Sequence, residues 1–368
     1  MRVLICGGGV IGASTAYFLS RRGVKTTVIE RTGIACAASG KSGGFLARDW
    51  CDGTPLQSLA RHSFDLHAEL ADRLSGDWGY RRLTTYGGYA PLRRRGAQVP
   101  GWLSQNVAAG RELGSPATTA QVHPARFTRA MMRAAQANGA ELRIGQVTGL
   151  DTDAERVTGV AIDGETFALG AGDAVVVAMG PWSILASQWL PLPAVFGLKG
   201  HSIVFDTGGA IPAEAAFLEY RERSGKVLGP ELFPRPDGTT YVCAISSEAP
   251  LPLDPGDVAP DPGAIDRLHA ICADVSPVLA SAKILAAQAC FRPVARDGLP
   301  LIGPIPGIAN AYVATGHSVW GILNAPATGE ALAELIADGR TRSVDLAPFD
   351  PARLPPLDPR SLRRAGIA

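Results

Sequence analysis

Apolar positions follow two rhythms along this chain. Val3-Leu4-Ile5-Cys6 is an unbroken apolar run of the kind a strand buried on both faces carries, and it runs straight into Gly7-Gly8-Gly9-Val10-Ile11-Gly12. A helical stretch, Ala13 to Arg22, follows, and then a β-rich run, Lys25 to Ile29, closed by Glu30. Together they predict a βαβ unit. Residues 33–50 are rich in Gly, Ser and Ala and read as an extended loop. The helical rhythm returns over Arg61 to Leu74 and Ala125 to Asn138, with Gly139 as a C-cap. Short strands are predicted over Leu142 to Leu150, Val157 to Ile162 and Thr166 to Leu169, and they lead into Asp173 to Trp182, a buried strand ending in Gly180-Pro181. From Val195 to Ser246 the alternation predicts antiparallel strands: Gly197 to Phe205, Phe217 to Tyr220, and a hairpin from Leu232 to Ala244 around Pro236-Asp237-Gly238. Pro250 to Pro262 reads as a loop, Gly263 to Val275 as a helix, and Ala311 to Ala314 as a strand. The last helix is predicted to be amphipathic, with Ala331, Leu332, Leu335 and Ile336 on one face and Gly339 at its end.

The spacing Gly7-x-Gly9-x-x-Gly12 between strand and helix has a physical purpose. Gly7 permits the tight turn, Gly9 lets backbone N–H groups approach a pyrophosphate, and Gly12 lets the helix lie close to the strand. The helix N-terminus that follows then turns its positive end to the phosphates, and Val10 and Ile11, within the glycine turn, are expected to meet the cofactor too. Glu30 is placed to accept hydrogen bonds from an adenosine ribose, where a 2′-phosphate would be repelled.

With 368 residues, 46% of them hydrophobic, the chain can bury the cores of two domains. A net charge of +1 argues against a nucleic-acid surface, and Arg93-Arg94-Arg95 reads as a solvated loop. No apolar run is long enough to span a membrane, and the first strand starts too early for a secretory leader, so the cytoplasm is the expected location. The six cysteines lack metal-ligand spacing and read as reduced thiols.

Five segments in order carry a family resemblance: the N-terminal fingerprint; Val175 to Trp182; Phe233 to Gly238; Cys290-Phe291-Arg292-Pro293 through Gly303; and Thr315-Gly316-His317 through Gly329. They resemble the D-amino-acid oxidase superfamily of flavoproteins, within it glycine oxidase, sarcosine oxidase and D-amino-acid dehydrogenase. The resemblance implies an α/β fold: a discontinuous, Rossmann-like FAD-binding domain of the glutathione-reductase type, and an α+β substrate domain with an antiparallel sheet. The expected segments are 1–80, 118–195 and 288–345 for FAD, 81–117 and 196–287 for substrate, and 346–368 as a tail. The cofactor implied is FAD. Glu30 and Arg31 would meet its adenosine; Ser39, Lys41, Ser42, Gly43 and Gly44 its pyrophosphate and ribityl chain; the strand at Val147 its adenine. Ala178, Gly180, Trp182, Gly316, Gly321, Ile322 and Asn324 would border it. Asn324 is expected to cap the last helix, with Pro326 in its first turn, so that the helix dipole favours reduced flavin.

The activity implied is oxidation of the C–N bond of a small amino or imino acid, with hydride passing to the flavin and electrons then to oxygen, a quinone or a protein acceptor. Arg292 is the expected carboxylate anchor, because a guanidinium fork holds a carboxylate by two parallel bonds. His317 and Trp320 are expected to shape the pocket. Cys290 matches the cysteine that bonds covalently to flavin in monomeric sarcosine oxidase, although an inert buried thiol is the commoner state. Sarcosine oxidase's carboxylate-holding lysine is replaced here by Leu323. Lys199 and Lys41 are candidate charges for oxygen reduction. A flavin-bearing sorting or assembly factor with little turnover is the competing function; tRNA modification lacks the basic surface it needs.

Overall fold

The computed structural model describes residues 1–74, 76–91, 100–153 and 155–364. The arginine run Arg93-Arg94-Arg95 lies outside the described residues. A first sheet has six strands in the order Leu301–Pro304, Ala311–Thr315, Ala174–Val177, Arg2–Cys6, Lys25–Glu30 and Glu141–Ile144. All neighbours are parallel except the first pair. Its apolar runs are continuous because both faces are covered. Val3, Ile5 and Val176 enter a core with the helices Val10–Arg21, Gln57–Arg73, Pro124–Ala137 and Gly321–Asp338. Leu4, Cys6, Val175 and Val177 point the other way, into a core with Val157, Val160 and Ile162. Those last three belong to a three-stranded antiparallel sheet of Glu165–Ala168, Val157–Ile162 and Val147–Thr152.

Two local expectations change. The run Leu142 to Leu150 is two strands in different sheets, divided at Gly145-Gln146, where the Gly145 N–H donates to the Glu30 carbonyl at 2.9 Å and ends the parallel pairing. Residues 33–50 are not one open loop: they hold a single helical turn, Ala38–Lys41, and a strand, Phe45–Ala47, paired with Thr119–Gln121.

The second large sheet runs Lys283–Ala295, Val195–Asp206, Thr239–Ser247, Glu231–Pro234, Glu214–Arg221, Thr84–Ala90 and Ala108–Gly114. The hairpin around Pro236-Asp237-Gly238 forms as expected. The sheet is nevertheless mixed, not purely antiparallel: Glu214–Arg221 lies parallel to Thr84–Ala90. Those strands are far apart in sequence, so no tight turn dictates their direction. Lys283–Ala295 pairs along its length with Val195–Asp206 before the chain crosses to the first sheet, so position 288 falls within a strand of the second.

The final helix differs most. It begins at Gly321, directly after a 3₁₀ turn at Ser318–Trp320, so Trp320 holds the N-cap position and Asn324 and Pro326 lie inside the helix. Asn324 therefore cannot cap it; its amide is fully buried and without a partner among the described residues. Nor does the helix have one apolar face: Leu323, Ala325, Ala327, Leu332 and Ala333 are all buried. Gly339, with φ +73°, ends it as expected. An interior proline costs a helix about 3 kcal/mol, partly because it removes a donor. Here the groups it frees find partners on Gln57–Arg73. His67 donates from Nε2 to the Ile322 carbonyl at 2.9 Å, and the Ala327 N–H donates to Ser63 Oγ at 3.0 Å.

His67 is fully buried, which pushes its pKa down to about 4. The unfolded chain protonates this residue near its ordinary value of about 6.5, so its stabilising effect is complete above that pH and is lost as pH falls towards 4. The expected outcome is a loss of unfolding free energy reaching about 1.4 kcal/mol per pH unit from this residue alone. His67→Leu should remove that component and cost about 1–3 kcal/mol at pH 7 by orphaning the Ile322 carbonyl. Urea melts of both proteins between pH 4.5 and 8 check this.

Candidate active site

Three parallel strands end at one cavity. Arg2–Cys6 delivers Gly7, Ala174–Val177 delivers Ala178 and Gly180, and Ala311–Thr315 delivers its own last residues, Ala314 and Thr315. The carboxyl ends of parallel strands are where open α/β sheets bind ligands.

The three fingerprint glycines have different tasks. Gly7 has φ +115°, and a Cβ there would lie 2.4 Å from the Ala178 carbonyl oxygen; one on Gly12 would lie 2.0 Å from the Gly7 oxygen. Both serve the fold, and Gly12 does not line the cavity. Gly9 does, and a Cβ there would meet only Ser39 Oγ, at 3.2 Å. Val10 and Ile11 also line it; Val10 N–H donates to Ser39 Oγ at 2.9 Å. The remaining first-turn N–H groups have no partner within the helix.

Glu30 secures this turn. Its Oε2 accepts the Gly8 N–H at 2.6 Å, and Oε1 accepts Thr32 and Gly33 N–H at 2.9 and 3.3 Å. The carboxylate thus already serves the backbone, while still facing the cavity beside Val147. Arg31 reaches across the mouth, donating from Nη1 to the Leu253 carbonyl at 2.8 Å, and Trp182 Nε1 donates to the Pro252 carbonyl at 2.8 Å. These bonds draw the proline-rich loop over the opening, where Leu253 and Pro255 join the lining. No sequence signal tied that loop to the nucleotide end.

Ser39, Ser42 and Gly43 line the middle of the cavity, whereas Lys41 and Gly44 do not. Gly44, at φ +82°, is required by the Val122 carbonyl, 2.0 Å from where its Cβ would be. Ser42 Oγ is buried with no partner among the described residues.

At the far end the second sheet contributes Gly200, Glu231, Tyr241, Cys243, Cys290 and Arg292, facing His317, Gly321 and Ile322 at the start of the last helix. Burial pushes the His317 pKa down to about 3, and Nε2 meets Thr328 Oγ1 at 3.1 Å. It is a neutral wall residue. Trp320, Gly316 and Asn324 are not part of the lining, and Trp320 packs edge-on against Trp50. Burial raises the Cys290 thiol, with nearby Arg292 and Lys41 opposing the rise. Lys199 is held away by Asp261, 2.5 Å from its Nζ. Glu231, Tyr241 and Cys243 were missed in sequence; the available signal was a glutamate two residues before Phe233, on the same face of the hairpin.

Strand ends, an open helix start, an inward carboxylate and a roof from a second sheet define a dinucleotide-binding protein. The chain belongs to the FAD dependent oxidoreductase family, DAO, whose sequence model matches residues 2–335. It is 29% identical to the glycine oxidase of Pseudomonas aeruginosa, over 95% of this chain and 98% of that one. It is 31% identical to a Schizosaccharomyces pombe protein whose name goes no further than oxidoreductase, over 95% and 97%. The solved glycine oxidase of Geobacillus kaustophilus superposes with a TM-score of 0.82 at 24% identity, covering 96% of this chain and 99% of that one, and shows the same fold.

The cofactor is FAD, and the donor set fits it. The first-turn N–H groups of Ile11 and Gly12, which have no partner within the helix, and the partnerless Ser42 hydroxyl suit phosphate and ribityl oxygens. Among the described residues no helix is long and apolar enough to cross a membrane. Because Gly9 lines the cavity and, unlike Gly7 and Gly12, has no backbone atom where its Cβ would stand, Gly9→Val is expected to weaken FAD binding at least tenfold while leaving the thermal midpoint of the apoprotein within about 2 °C. Fluorescence titration of apoprotein with FAD, beside a thermal melt, checks both.

Proposed function

We propose that this chain oxidises the C–N bond of a small amino or imino acid to an imine, which water hydrolyses to the oxo acid. One observation carries the reading: Arg292 lies over a gap left by Gly200. A Cβ on Gly200 would sit 3.1 Å from Arg292 Nη2, and the guanidinium's hydrogen bond is to Ser246 Oγ at 3.3 Å. Among the described residues no carboxylate lies within 4 Å of it, so the fork remains open to one from the substrate.

Bound FAD supplies the acceptor for the two electrons and hydrogen that leave the substrate's carbon. Arg292 fixes the carboxylate, and with it the direction of the Cα–H bond. The amino end of Gly321–Asp338 places partial positive charge opposite, where it favours an electron-rich cofactor. His317, neutral, adds no competing charge. Trp182 and the loop at Leu253 screen the cavity from water. The glycine oxidase names of the Pseudomonas and Geobacillus relatives support the substrate class.

Anaerobic mixing with a panel of amino and imino acids should bleach the flavin absorbance with at least one of them. Arg292→Ala should raise that compound's Kd about 100-fold, the scale of a lost bidentate charged pair. A band that survives the whole panel defeats the reading; peroxide release then tells oxygen from another acceptor. With its thiol held protonated, Cys290 is a poor nucleophile. Acid precipitation should therefore leave a yellow supernatant and a colourless pellet.

A further inference from the structure

The cavity roof holds a second charged side chain that the anchoring of a carboxylate does not use. Glu231 begins the strand Glu231–Pro234 and pairs across the sheet with Cys243, whose own partner on the other side is Ser202. Period two puts Glu231 on the same face as Phe233, and that face looks into the cavity. Among the described residues the one hydrogen bond to its carboxylate is from Cys243 Sγ, at 3.6 Å to Oε2, a weak donor. Among the described residues no lysine, arginine or histidine nitrogen lies within 4 Å of it, Arg292 included. Two opposite charges thus face one space without closing on each other.

Burial raises the Glu231 carboxyl above its usual range, while the Arg292 charge draws it back down. A carboxylate so placed gains more from an incoming cation than a hydrated one would, because little water competes. The other groups facing it, Cys243, Tyr241 and Cys290, are raised by burial and stay uncharged. They offer it no cation.

We propose that Glu231 is the specificity-determining residue for the nitrogen end of the substrate, so that Arg292 and Glu231 together clamp a zwitterion across the roof. Its oxygens accept N–H bonds from the ammonium and, less strongly, from the neutral amine that oxidation requires. Carboxylic acids without an amino group are bound by Arg292 alone and are discriminated against. This inference rests on the function proposed above.

The test uses FAD-loaded protein and two ligands of matched shape that lack any oxidisable C–N centre: 2-aminoisobutyrate, a zwitterion without a Cα–H bond, and isobutyrate, which has no nitrogen. Calorimetry and the perturbation of the flavin spectrum give both Kd values. The native protein should bind the amino compound at least tenfold more tightly. Glu231→Gln should shrink that preference below threefold while leaving the Kd of isobutyrate within twofold, and Glu231→Asp should restore part of it. A preference that survives intact in Glu231→Gln overturns the proposal. The parent reading fails separately, if isobutyrate binds as well to Arg292→Ala as to the native protein.

Discussion

The site depends on the register of three parallel strands. Ile5 stands opposite Val176, Cys6 opposite Val177, and Val177 opposite Val313, so all three strands finish at one level and release Gly7, Ala178 and Ala314 together. A slip of one residue would turn Leu4 and Cys6 from the small antiparallel sheet towards the helices, exchanging the two cores. The turn after the first strand is then held by one side chain, because Glu30 gathers N–H groups from Gly8, Thr32 and Gly33. The carboxylate that the fingerprint assigns to a ribose is therefore also a bracket between two loops.

Much of the fold was legible because it is local. The strand, turn and helix at the amino end, the Pro236-Asp237-Gly238 hairpin and the Gly339 stop are each specified by neighbours in sequence. What sequence could not show came from tertiary partners. Pro326 is tolerated within its helix because His67 and Ser63, on another helix, take the carbonyl and the N–H it leaves free. Viewed without those two residues, a proline belongs in a first turn, and the cap was accordingly placed at Asn324. Likewise the parallel pairing of Glu214–Arg221 with Thr84–Ala90 has no turn to announce it.

The candidate site divides in the same way. Residues recognisable through backbone demands were found: Gly7, Gly9, Val10, Ile11 and Glu30 at one end, Ala178, Gly180, Gly321 and Ile322 near the other, all of which line the cavity. Arg292 was found through its motif, but Gly200, which makes room for its side chain, pairs with Cys290 two residues away on the same strand and carries no motif of its own. Glu231 was missed because a glutamate at a strand end usually faces solvent, and only the closing of the nucleotide layer beneath the sheet turns that face inward.

This division has a physical reason. The floor of the cavity is made of strand ends and helix starts, where backbone N–H groups and glycines do the binding, and such groups change little when side chains change. The roof is a sheet face, where each alternate position presents a side chain, so a single replacement alters charge without disturbing the ladder beneath it. Gly200, Cys290 and Arg292 lie on paired strands and Glu231 two strands further across, which lets the space between the guanidinium and the carboxylate be set by side-chain length alone. A floor that keeps one cofactor under a roof free to vary lets one fold serve several substrates. Under the function proposed above, the charges on that roof, not the glycines below, are where the choice of substrate resides.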